Sequence, residues 1–208
     1  MTNILVLNSS VLGEGSASKI LVEEAVQRLL KASPGATVIH RDLGSEPVPH
    51  LTTATVAGVR GVPATDAELA TRALSDELIA ELRAADAVVI GAPMYNFSIP
   101  TGLKAWFDYV LRAGETFKYS EAGPQGLLTG KRVIVIESRG GLYSEGPFQA
   151  IDFQEPYLRT LLGFIGLNDV TFIHAEKLGF GPQAREAALS AAKAEIVAVA
   201  RETLSAAA

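Results

Sequence analysis

Residues 1–18 read MTNILVLNSSVLGEGSAS. Within them Ile4-Leu5-Val6-Leu7 is an unbroken apolar run with no polar alternation, which predicts a short strand buried on both faces. A strand covered on both sides belongs to a parallel sheet flanked by helices. A serine- and glycine-rich stretch follows, and then a helical pattern over residues 18–31. There Leu21, Val22, Ala25, Leu29 and Leu30 recur at helical spacing, with Glu23, Glu24, Gln27 and Arg28 on the other side. Pro34-Gly35 ends that helix.

The same alternation continues outward along the chain. Strands are predicted at residues 37–40, 87–92, 133–136 and 170–173. Helices are predicted at 66–84, 100–113, 156–164 and 183–204, with Pro100 at the first turn of its helix. Residues 44–63 hold three prolines and three glycines and read as an irregular excursion with a short helix, while 114–130 reads as an insertion rich in glycine and aromatics. Strand and helix alternate without repeat or linker. The expectation is one α/β domain over residues 1–208: a flavodoxin-like, doubly wound, five-stranded parallel sheet of order 2-1-3-4-5 with helices on both faces.

Composition removes several function classes. The net charge of -5 argues against nucleic-acid binding, which needs a basic face, and against an anionic membrane surface. Absence of cysteine excludes disulfides, thiolate nucleophiles and sulfur-ligated metal, and suits the cytoplasm. The amino terminus has neither the basic start nor the apolar length of a signal peptide, and no run approaches a membrane span. His40, His50 and His174 lack metal-ligand spacing and read as structural or solvated groups. Glu14, Asp108 and Glu115 read as surface or capping groups, and Trp106 as packing beside Phe107 and Val110. Ser9 and Ser10 lack a hydrolase context. No catalytic side chain is named.

An open parallel sheet binds ligands beyond the carboxyl ends of its strands, where strand order reverses. The three loops expected there are the least ordinary segments of the chain. The first sets Ser10, Ser16, Ala17 and Ser18 around glycines just before a helix. Free N–H groups, a positive helix end and hydroxyl donors suit a phosphate monoester without lysine or arginine; the other reading is that these serines only cap the helix and shape the turn. The second, Pro93-Met94-Tyr95-Asn96-Phe97, places apolar groups where a polar loop is expected. They suit a flat aromatic ligand, with Asn96 at a heterocycle edge, or they pack down onto the core. The third, Ser138-Arg139-Gly140-Gly141, offers backbone donors through its glycine pair, or makes a plain turn with Arg139 a solvated surface charge.

These loops, with Ile99-Pro100, Leu103-Lys104, Thr116-Phe117-Lys118-Tyr119, residues 123–130, Pro156-Tyr157-Leu158 and Leu162-Gly163-Phe164-Ile165-Gly166, resemble the FMN-dependent NADH-azoreductase family, which also reduces quinones. The likeness runs end to end. It implies that Ser10, Ser16, Ala17 and Ser18 hold the flavin mononucleotide (FMN) phosphate. It implies that Pro93 shapes a loop whose Met94, Tyr95, Asn96 and Phe97 line the isoalloxazine ring, with Ser138, Arg139, Gly140 and Gly141 on its pyrimidine side. Family members are homodimers with active sites at the interface. Tyr119 and Phe164 are then expected to cover the flavin or its acceptor, from the same or the neighbouring chain, and Tyr143 to stand above the ring where some relatives carry histidine. Lys177 stands where relatives often carry glycine.

The activity this resemblance implies is hydride transfer from NADH, with NADPH a possible donor, through flavin N5 to quinones or aromatic azo compounds. One shared site predicts ping-pong kinetics. The competing readings are a non-enzymatic electron carrier of flavodoxin type and a flavin-free interaction module on the same scaffold.

Overall fold

The computed structural model describes residues 2–205, with side chains through residue 200. Five strands, β1 (Asn3–Asn8), β2 (Thr37–Asp42), β3 (Ala87–Pro93), β6 (Arg132–Ser138) and β7 (Asp169–Ala175), form one sheet of order β2-β1-β3-β6-β7. All neighbours are parallel. Counting only these core strands, the order is the expected 2-1-3-4-5.

Alternation along each central strand divides the core in two. Leu5, Leu7, Val88, Ile90, Val133 and Val135 face α3 (Asp66–Ala84), α4 (Thr101–Val110) and α5 (Glu155–Phe164), where Leu78, Leu82, Leu103, Trp106, Leu158 and Leu162 are buried against them. Ile4, Val6, Val89, Ile134 and Ile136 face the opposite way, onto Leu21, Val22 and Ala25 of α1 (Ala17–Ala32) and Ala192 and Ile196 of α6 (Pro182–Ser205). A strand apolar at every position is thus explained by helices on both sides. The helix α3 starts where its chemistry says it should: Thr65 and Glu68 form a reciprocal capping box.

The irregular excursion contains one short helix, α2 (Ala57–Arg60). The insertion holds an antiparallel hairpin that hydrophobic patterning did not reveal, β4 (Phe117–Ser120) with β5 (Gly123–Gly126). It docks through glycine: a Cβ on Gly126 would lie 2.1 Å from the Gly166 nitrogen, so backbone meets backbone there. The helix expected to reach residue 113 ends at Val110, because the chain turns to bury Arg112 and Thr116.

Candidate functional site

The register aligns Asn8 with Gly91 and Pro93 with Ser138, so the loops after β1, β3 and β6 leave the sheet side by side at its carboxyl edge. The loop after β1 makes a 3-10 turn at Gly13–Gly15 and enters α1 one residue before the predicted start. Ser16 caps α1, its Oγ accepting the Lys19 N–H at 3.2 Å and lying 3.1 Å from Ser18 Oγ. Ser10, Ser16 and Ser18 are all buried, and the N–H groups of Ala17 and Ser18 have no partner among the described residues. Two unpaired donors at a positive helix end, with three hydroxyls close by, are the requirements of an anion site.

The loop after β3 is tied to both neighbours. Tyr95 Oη accepts the Val11 N–H at 3.2 Å and lies 3.3 Å from Ser10 Oγ, while the Met94 N–H donates to Ser138 O at 2.9 Å. Tyr95 and Ser98 exchange backbone hydrogen bonds around Asn96 and Phe97, both in the left-handed region at φ 49° and 71°. Asparagine tolerates that conformation; a phenylalanine held there stores strain of order 1 kcal/mol. The tightened turn leaves the Phe97 ring half-exposed at the rim, 6.2 Å from Tyr143 in an edge-on contact.

In the loop after β6 the carbonyl groups of Arg139, Gly140 and Gly141 accept the N–H groups of Leu178, Gly179 and Lys177 at 3.1, 2.9 and 2.8 Å. The N–H groups of Gly140 and Gly141 have no partner among the described residues. A Cβ at the second position would stand 3.0 Å from the Tyr143 ring, which would have to shift to admit it. Lys177 adopts φ 60°, a left-handed conformation that glycine takes without strain.

Arg139 corrects an expectation. It is no solvated charge but a fully buried guanidinium, and its own N–H donates to Ala175 O. Its partners are Glu137 Oε2 at 2.5 Å, Asp152 Oδ2 at 3.0 Å, Gln154 Oε1 at 3.1 Å and Glu176 Oε1 at 3.2 Å. It therefore braces the loop from behind rather than lining the cleft. Sequence reading missed this network. Its only visible signal was Glu137, a carboxylate closing the apolar run Val133-Ile134-Val135-Ile136.

Tyr119 and Phe164 lie elsewhere. As the crossover between two parallel strands, α5 runs against the sheet. It begins beside the end of β7, where His174 Nε2 meets Glu155 Oε2 at 2.8 Å. Its 10 residues then carry the chain about 15 Å back toward the strand starts. Phe164 closes that far end, with Phe117 at 4.5 Å and Tyr119 beyond it at 5.6 Å from Phe117. The chain thus brings Ser10, Ser16, Ser18, Pro93–Phe97 and Ser138–Gly141 to one edge with Tyr143, and sets Tyr119 and Phe164 at the other. The three acids read as surface groups are ion-paired: Glu14 to Lys19, Asp108 to Lys104 and Glu115 to Arg83.

An open α/β sheet with a phosphate-ready helix end and a donor loop across the switch point defines a flavodoxin-like protein, and a family model described as a flavodoxin-like fold matches residues 2–200. A relative named FMN-dependent NADH:quinone oxidoreductase, from Hyphomonas neptunium, is 69% identical over 97% of this chain and 97% of its own length. Among solved structures, an azoreductase from Bacillus anthracis strain Sterne superposes with a TM-score of 0.88 at 31% identity, over 97% of this chain and all of that one. An FMN-dependent NADH-azoreductase from B. anthracis strain Ames Ancestor, in complex with FMN, gives the same TM-score at 25% identity over 98% of this chain and all of that one. The chain belongs to the FMN-dependent NADH:quinone oxidoreductase and azoreductase family.

Proposed function

We propose that this protein is an FMN-dependent reductase taking electrons from NADH and passing them to quinones and aromatic azo compounds. One observation carries the reading: two separate pairs of unpaired N–H groups, Ala17–Ser18 and Gly140–Gly141, flank an aromatic-rimmed cleft at a single sheet edge. These residues fit FMN. Ser10, Ser16 and Ser18 with the start of α1 would hold its phosphate, Met94 to Phe97 would line its ring, and Gly140 and Gly141 would donate to the pyrimidine edge. When bound, the flavin supplies hydride transfer between the nicotinamide and the acceptor. The protein's own part is to hold the ring, keep one face open and place donors where negative charge develops. Because donor and acceptor use that face in turn, initial-rate kinetics are ping-pong. Addition of NADH to the FMN-loaded protein should bleach its visible absorbance, and a quinone should restore it; unchanged absorbance would leave only an electron carrier. NADH is the donor in the relatives' names, and parallel rates with NADPH test that preference.

The placement of Tyr119 and Phe164 supports a homodimer in which each chain covers its partner's flavin. Mixed dimers test this. A Ser16→Ala/Ser18→Ala chain paired with a Phe164→Ala chain contains one intact site if Phe164 acts across the interface, and none if it acts within its own chain. At an FMN concentration that leaves the serine variant unloaded, equal mixing of the two variants should bring the rate to about a quarter of wild type if Phe164 acts across the interface. Among the described residues no helix is long and apolar enough to cross a membrane. With no cysteine in the chain, we place the protein in the cytoplasm, as one FMN-binding domain.

A further inference from the structure

Behind the glycine pair lies a buried charged cluster that hydride transfer does not use. Glu137, at the end of β6, is fully buried; its Oε2 meets Arg139 Nη2 at 2.5 Å and His174 Nε2 at 3.1 Å, and its Oε1 has no partner among the described residues. His174 also meets Glu155 Oε2, and Glu155 is held in turn by Arg159. Glu176 accepts from Arg139, from the N–H groups of Tyr143 and Ser144, and from Ser144 Oγ. Gln154 links Arg139 to the Ala92 carbonyl of β3. From α6, Glu195 adds a further negative charge near His174.

Four carboxylates, Glu137, Asp152, Glu155 and Glu176, therefore surround one buried guanidinium, and Arg159 reaches only the outer side of Glu155. A protonated imidazole at His174 would supply a second inner cation. Burial pushes the Glu137 carboxyl upward, against the pull of His174 and Arg139. The hydrogen bond to Glu137 raises His174 above its ordinary value despite desolvation. Together they form a site that keeps a proton to higher pH than a free histidine would. The guanidinium among these carboxylates makes the cluster a poor metal site.

Both halves of the flavin-facing loop are rooted in this cluster. Glu137 and Arg139 lead into Gly140 and Gly141; His174 and Glu176 lead into residues 177–179, whose N–H groups occupy the carbonyls of 139–141. We propose that Glu137 and His174 are positioning residues for the flavin, and that the proton they share keeps Gly140 and Gly141 aimed at it. This rests on the FMN reading above. Linkage then makes two statements of one effect. FMN binds more tightly while His174 is protonated and more weakly as pH rises through its raised midpoint. Bound FMN, in turn, lifts that midpoint.

The test uses the full chain. The His174 imidazole is titrated by NMR with and without FMN, assigned with His174→Gln, and the FMN dissociation constant is measured by fluorescence from about pH 6 to 9. FMN should move the His174 midpoint up by about half a pH unit or more, matched by a roughly threefold or greater weakening of Kd across the transition. In His174→Gln that transition should vanish, and in Glu137→Gln it should move to lower pH. A His174 midpoint unmoved by bound FMN overturns the proposal and leaves the FMN reading standing. Failure to bind FMN at any pH overturns the FMN reading itself. The wild-type measurements decide even if a variant does not fold.

Discussion

The two ends of the cleft hold their free N–H groups by opposite means. At the proposed phosphate end the donors are set by a helix start and three neutral hydroxyls, and the cations beside them are engaged, Lys19 with Glu14 and Arg185 with the Gly15 carbonyl. At the proposed ring end the donors are set by charge, with the buried Arg139 and its carboxylates pulling the loop inward. Neutral donors can be removed with little harm to the fold, because the helix stands on its apolar face. A buried ion cannot, because its partners are left uncompensated. The ring end should therefore fail as structure and the phosphate end as affinity.

The largest effect expected follows from Arg139→Ala, which strands Glu137, Asp152 and Glu176 in the interior. It should lower unfolding free energy by about 3–5 kcal/mol, read by chemical denaturation. A loss below about 1 kcal/mol would erase the contrast.

Next is Ser16→Ala with Ser18→Ala. Two charge-assisted hydrogen bonds at roughly 1.5 kcal/mol each predict about a hundredfold weaker FMN binding. Loss of the Ser16 cap should lower stability by only about 1 kcal/mol. Fluorescence titration and thermal unfolding separate the two quantities. Unchanged affinity would mean that these serines only shape the turn.

How far the sequence foretold this divides along the same line. The sheet was legible because strands covered on both sides must be apolar throughout, and the helices because their periodicity and punctuation agree. The donors at the start of α1 were legible too, since they are local in sequence: Ser16, Ala17 and Ser18 fall within one helical turn. The ring end was not. Arg139 meets partners at 137, 152, 154 and 176, and no local pattern tells a buried guanidinium from a solvated one. The hairpin at 117–126 escaped for a related reason: it is stabilised by the approach of Gly126 to Gly166, and its strands carry little hydrophobic alternation. Tyr119 and Phe164 came forward only through the family resemblance, and their distance from the donor loops depends on the direction of α5, which only the topology supplies.

The smallest effect tests the far wall of the ring end. Lys177 is exposed, sits at φ 60° and still donates its N–H to Gly141. A left-handed non-glycine residue costs roughly 1–2 kcal/mol. Glycine there removes the strain but adds unfolded-state freedom worth about 0.4–1 kcal/mol. Lys177→Gly should therefore stabilise the protein by about 0.5–1 kcal/mol and raise its melting temperature by a few degrees. Lys177→Ala keeps the same φ and should gain nothing. If alanine stabilises as much as glycine, the lysine side chain rather than its backbone is the source of strain, and the wall beside Gly141 is set by charge here as well.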